Sequence, residues 1–175
     1  MPKLKLLILD AGVVIRLHEA GLWNKILGPC EVYLSRIVAE KEVLYQQGDE
    51  YDEDIDLSPD IESGRIQVFD VELDDLRTFR DQFDPVYLGD LDDGEAESLA
   101  YMMKQSADFL ISSGDAIVYR ILGNLGRTEQ GISLEEILQK IGLGLSLEWP
   151  YSKAFREKYS KDGEADMIRG RGRKR

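Results

Sequence analysis

The hydrophobic pattern opens with Leu4-Lys5-Leu6-Leu7-Ile8-Leu9, an apolar run of strand length that stops at Asp10. A run of four to eight such residues reads as a central strand of a parallel sheet, buried on both faces. Leu22, Trp23, Ile26 and Leu27 then recur at helical spacing, which predicts a first helix over 19–27 ended by Gly28-Pro29. Val32-Tyr33-Leu34 predicts a second strand, and Ser35 the N-cap of a helix running through Tyr45. Further on, 65–71 alternates as a strand does, and Leu76, Phe79 and Phe83 lie on one helical face. An acidic opening at Asp92-Asp93-Gly94-Glu95 leads into Leu99-Ala100-Tyr101-Met102, the signature of a buried helix. A strand over 107–112 is followed by a helix carrying Ile117, Ile121 and Leu122. Ser133-Leu134-Glu135-Glu136 fits the capping box of another helix, closed by Gly142. Strands alternating with helices predict an α/β domain over residues 1–147, a three-layer α/β/α sandwich with a mostly parallel central sheet.

Two stretches depart from this rhythm. Residues 46–64 hold eight carboxylates between Asp49 and Glu62 with no Lys or Arg among them, the composition of an acidic surface insertion without EF-hand spacing. After Trp149-Pro150 the apolar content falls. Residues 148–175 therefore read as a C-terminal extension that docks one helix through Tyr151, Phe155 and Tyr159 and is disordered from about 160. It closes with the basic run Arg169-Gly170-Arg171-Gly172-Arg173-Lys174-Arg175. The net charge of −12 is thus unevenly spread, and its distribution bears on partners more than its sum does.

Cys30 and His18 are single, which excludes an internal disulfide and a Cys/His zinc site. No stretch approaches the roughly 20 apolar residues that span a bilayer, and the start of the chain lacks the pattern of a secretory leader. The expected setting is cytoplasmic, with no membrane partner. Chemistry then falls to carboxylates.

Four acids stand at informative places: Asp10 after the first strand, Glu42 on the second helix, Glu95 in the first turn of a helix, and Asp115 just past a strand. Ligands of open α/β sheets bind at the carboxyl ends of strands, where Asp10 and Asp115 lie. Each acid also has a structural use. Asp10 can cap a following turn, Glu95 can reach back to Asp92 in a capping box, Asp115 can complement a helix dipole, and Glu42 can face water.

The order of these acids resembles the PIN-domain family, metal-dependent ribonucleases that include VapC-type toxins. Carrying the resemblance are Leu7-Ile8-Leu9-Asp10 with Val13-Val14-Ile15, then Val38-Ala39-Glu40-Lys41-Glu42, then Asp92-Asp93-Gly94-Glu95-Ala96-Glu97, and then Phe109-Leu110-Ile111-Ser112-Ser113-Gly114-Asp115. They extend over roughly residues 4–145. The resemblance implies an acidic cluster of Asp10, Glu42, Glu95 and Asp115, with Glu40 an alternative to Glu42, and Asp92, Asp93 or Glu97 sharing the work of Glu95. It implies Mg2+ or Mn2+ as cofactor, since hard oxygen donors favour these ions. The implied activity is hydrolysis of RNA phosphodiester bonds leaving a 5′-phosphate, with an antitoxin protein or a second copy of the chain as partner. Arg16, Lys41, Lys104 and Arg120 are candidate contacts to substrate phosphates. The family commonly has Ser or Thr, then Asn, after its first Asp; here Ala11-Gly12 stand in those places. That departure leaves room for a catalytically inactive PIN-like binding module. Ile8-Leu9-Asp10-Ala11-Gly12-Val13-Val14 also resembles the first motif of haloacid-dehalogenase-like phosphatases, in which Asp10 would be the nucleophile, but their second Asp falls on Gly12.

Overall fold

The computed structural model describes residues 4–42, 45–47, 52–105 and 108–175. Its centre is a sheet of four parallel strands, β1 (Leu4–Leu9), β2 (Cys30–Ser35), β5 (Ile66–Phe69) and β6 (Leu110–Ser112), in the order β5-β2-β1-β6. Neighbouring residues of β1 point to opposite faces, as the pleat requires. Leu7 and Leu9 join Val32, Leu34 and Ile66 in one core, whereas Ile8 joins Phe69 and Ile111 in another. The first core is covered by α1 (Ala11–Glu19), α2 (Trp23–Leu27) and α7 (Leu134–Lys140). The second lies under α4 (Leu73–Asp81), α5 (Asp93–Lys104), α6 (Ala116–Asn124) and α8 (Lys153–Ile168). This is the expected α/β architecture of a sheet between two helical layers. Among the described residues no helix is long and apolar enough to cross a membrane.

Successive strands step from β1 to β2 to β5 in one direction, and β6 is then laid on the opposite side of β1. The strand order therefore reverses between β1 and β6, and the carboxyl ends of these two strands flank the crevice where such sheets bind ligands. Asp10 and Asp115 come just after those two ends.

Four expectations need correction. The helix expected over 19–27 is only α2, Trp23–Leu27, and α1 precedes it over residues where no helix was expected. Asp10 starts α1 immediately after the strand, burying Val13, Val14 and Leu17, and Gly21, at φ 66°, turns the chain into the short α2. An apolar strand running straight into an apolar helix hides the change of period at Asp10. Ser35 does cap, its Oγ accepting from the Val38 amide at 3.1 Å, but the helix it starts is one wide, π-type turn over Val38–Glu42. By Tyr45 the chain is in a hairpin strand, β3 (Tyr45–Gln47), paired antiparallel with β4 (Asp52–Asp54).

The acidic segment is not simply a surface loop. Ile55 and Leu57 are buried, and α3 (Ser58–Glu62) directs the buried Asp60 at the Trp23 Nε1–H, 2.9 Å away, and at Arg65, 3.0 Å away. Nor does order end near residue 160. The helix α8 runs to Ile168 along α6, with Ser160, Gly163 and Asp166 buried. The basic run beyond it is pinned by backbone hydrogen bonds from Asp84 to Gly172 and from Lys174 to Gln82, and by the Asn124 amide on the Arg171 carbonyl.

Candidate metal centre

Asp10 leaves β1 at its carboxyl end and is the N-cap of α1, so one side chain serves both elements. Its Oδ1 accepts from the Ala11 amide at 2.8 Å, and its Oδ2 from the Ser113 hydroxyl at 2.9 Å. Ser113 lies just past β6, and its Oγ accepts in turn from the Asp115 amide at 3.0 Å. Beneath this loop the fully buried Tyr119 hydroxyl accepts from the Ser113 amide and donates to the Ser113 carbonyl. The turn that presents Asp115 is thus fixed from below, while the Asp115 side chain makes no capping bond to α6.

Glu95 arrives from the opposite layer. It is the third residue of α5, where its Oε2 accepts from the Asp92 amide at 3.1 Å and Asp92 Oδ1 accepts from the Glu95 amide at 2.8 Å. The capping box foreseen as the structural use of Glu95 is therefore present. It occupies only one of the two oxygens. Oε1 is buried, has no donor, and belongs to a carboxyl group that lies against Asp115.

One carboxylate oxygen each from Asp10, Glu95 and Asp115 lies within 4.8 Å of the others. Asp10 and Glu95 are 3% and 1% exposed and Asp115 is open to solvent, so the cluster has two buried walls and one accessible side. Burial, opposed by the Ser113 hydrogen bond and reinforced by the charges of Asp92 and Asp115, pushes the Asp10 carboxyl up to about 6. Burial first, and then the adjoining Asp115 and Asp10 carboxylates, hold Glu95 far above the usual carboxylate range. Such a group must share a proton or a cation with its neighbours. An all-oxygen donor set with one open face can hold a hard metal ion.

The remaining candidates divide clearly. Glu42 ends the Val38–Glu42 turn, and its side chain lies outside the described residues. Glu40 is on the surface, paired with Arg36 at 2.8 Å, and Asp93 with Arg80 at 3.0 Å. Glu97 is near the Ile37 backbone and Lys41. Three of the four basic candidates are engaged: Arg16 with Glu148, Lys104 with Asp75, and Arg120 with Asp166. Lys41 is exposed. His18 stacks on Trp23, and Cys30 is a buried thiol pushed up to about 11 by burial, so neither approaches nucleophilic chemistry.

No protein-family model, curated protein or solved structure matches the chain. The geometry of the centre therefore carries the functional reading.

Sequence reasoning passed over Ser113 and Tyr151. Ser113 shows itself only as the start of a Ser-Gly-Asp turn. Tyr151 arrives from the far end of the chain, in a single helical turn over Trp149–Tyr151, and lies against Gly12 in the first turn of α1 and Gly114 in the loop after β6. Its hydroxyl is 3.4 Å from the Gly12 carbonyl, and a Cβ at Gly114 would meet its ring at 2.9 Å. Any side chain at position 114 would have to displace that ring.

Proposed function

We propose that this chain is a divalent-metal-dependent ribonuclease of PIN-domain type, with Asp10, Glu95 and Asp115 as its metal ligands and Mg2+ or Mn2+ as the ion. What supports this above all is Glu95 Oε1, a buried acceptor with no donor, set against two more carboxylates at the switch point of a parallel sheet. A bound divalent ion would supply Lewis-acid polarisation of a phosphodiester and a more acidic water. The chain's own residues do the positioning. Ser113 and the Ala11 amide hold both oxygens of Asp10, and the Asp92 amide holds Glu95 Oε2, which leaves Oε1 turned toward the cluster. Asp115, on the accessible side, is placed to meet solvent and substrate together. The fourth position assigned to Glu42, and the toxin–antitoxin setting, rest on the sequence resemblance.

The deciding experiment is Mn2+-dependent cleavage of a mixed single-stranded RNA pool by the wild type, Asp10→Asn and Asp115→Asn. Loss of cleavage in both folded variants is the expected result. Equal cleavage by all three would sink the proposal.

A further inference from the structure

The basic run 169–175 is built into the molecule as one wall of a groove. Phe83 and Arg173 form an antiparallel bridge, and Gly172, at φ 90°, lies so close to Tyr87 and Asn124 that a Cβ there would meet both within 3 Å. Fixed in this way, Arg171, Arg173, Lys174 and Arg175 are exposed, and among the described residues none of them forms an ion pair. Holding four like charges together on an ordered segment costs free energy through mutual repulsion, and an anion binding along the segment would offset that cost.

The groove has a volume of about 700 Å3. It is also lined by Ala116 and Ile117, the residues immediately after Asp115. Asp90 also lines it, two residues before the Asp92 cap that holds Glu95. Beside the cations, Val86 is 90% exposed and the Tyr87 ring stacks on Phe83, which gives an apolar surface next to a charged one. Cations that track a backbone alongside apolar or aromatic surface for bases are the general design of single-strand binding.

We infer that this groove carries the phosphate backbone of single-stranded RNA, with Arg171, Arg173, Lys174 and Arg175 as its phosphate contacts and Val86 and Tyr87 beside the bases. The inference rests on the ribonuclease reading for the cleavage chemistry, but the binding itself needs no metal.

The test is fluorescence anisotropy with a labelled mixed-sequence RNA of about 12 nucleotides, a length within the span of single-strand binding sites, using the full chain in EDTA over a range of KCl concentrations. The variant R171A/R173A/K174A/R175A is expected to bind at least about tenfold more weakly than wild type, with a salt slope shallower by roughly 0.7 for each phosphate contact removed. The milder pair R171A/R175A is expected to lose about threefold, which keeps the test decisive if the fourfold variant does not fold. Photocross-links from 4-thiouridine RNA to Val86 or Tyr87 are expected; cross-links confined to other faces would overturn the inference. So would equal affinity and slope in wild type and variants, or binding to phosphatidylserine vesicles without binding to RNA. RNA binding without Mn2+-dependent cleavage would sink the ribonuclease reading and leave the groove standing. Cleavage with binding indifferent to the four cations would do the reverse.

Discussion

Asp10 uses both of its oxygens, one to start a helix and one to hold Ser113, and it does so while almost wholly buried. Its carboxyl is raised from 3.8 to about 6, so the native state binds the Asp10 proton more tightly than the unfolded chain does. The stabilising contribution of that proton is complete below about pH 4 and is lost as pH rises through about 6. In EDTA at about pH 7.5, Asp10→Asn is therefore expected to stabilise the protein by about 1–2 kcal/mol, the relief of the buried charge exceeding the loss of the hydrogen bond from the Ser113 hydroxyl, and at about pH 4 to destabilise it by about 1 kcal/mol. Asn caps a helix as well as Asp does, so the helix start is kept. Chemical denaturation at the two pH values checks this, and a variant destabilised at the higher one would count against the charge-repulsion account. Mn2+ should raise the melting temperature of the wild type and leave that of the variant unchanged. Asp10, Glu95 and Asp115 were legible in sequence because each comes after a strand or opens a helix. Ser113 was not, because a serine in a turn carries no mark of the carboxylate it will meet from a strand at the other end of the sequence.

Between elements, the contact of α6 with α8 was the least legible. Polar residues dominate Lys153–Ile168, and the sequence accordingly suggests disorder beyond residue 160. The helices meet through two glycines instead. A Cβ on Gly123 would collide with the Ser160 carbonyl, and one on Gly163 with that of Arg120. Closeness of backbones leaves no trace in apolar periodicity, and the Arg120–Asp166 and Arg156–Glu136 pairs that flank the contact look like ordinary surface charge. Gly163→Ala, which in an open helix would add about 1 kcal/mol, is expected here to cost about 2 kcal/mol by forcing the backbones apart. Thermal melting decides the sign; a stabilised variant would mean the helices are not in contact at this point. The four strands of the parallel sheet, by contrast, were legible within three residues at either end, from apolar runs and alternation, whereas the short β3 and β4 were not.

For the molecule as a whole, residues 148–175 belong to the body. Phe155 is 6% exposed against Tyr119, Arg156 holds Glu136 at the start of α7, and Tyr151 covers Gly12 and Gly114 beside the centre. A chain ending at residue 147 is expected to lose its cooperative thermal transition and near-ultraviolet dichroism, and a fragment melting within a few degrees of the full chain would contradict this. The caps have a further consequence. Glu95 supports its helix start through one oxygen and leaves the other without a partner, so exchanging that second oxygen for an amide nitrogen leaves every strand and helix in place. It also gives the buried cluster the donor it lacks. A descendant of this chain could fall chemically silent in one such exchange and keep its shape, with selection on stability favouring the silent form wherever the chemistry was no longer needed.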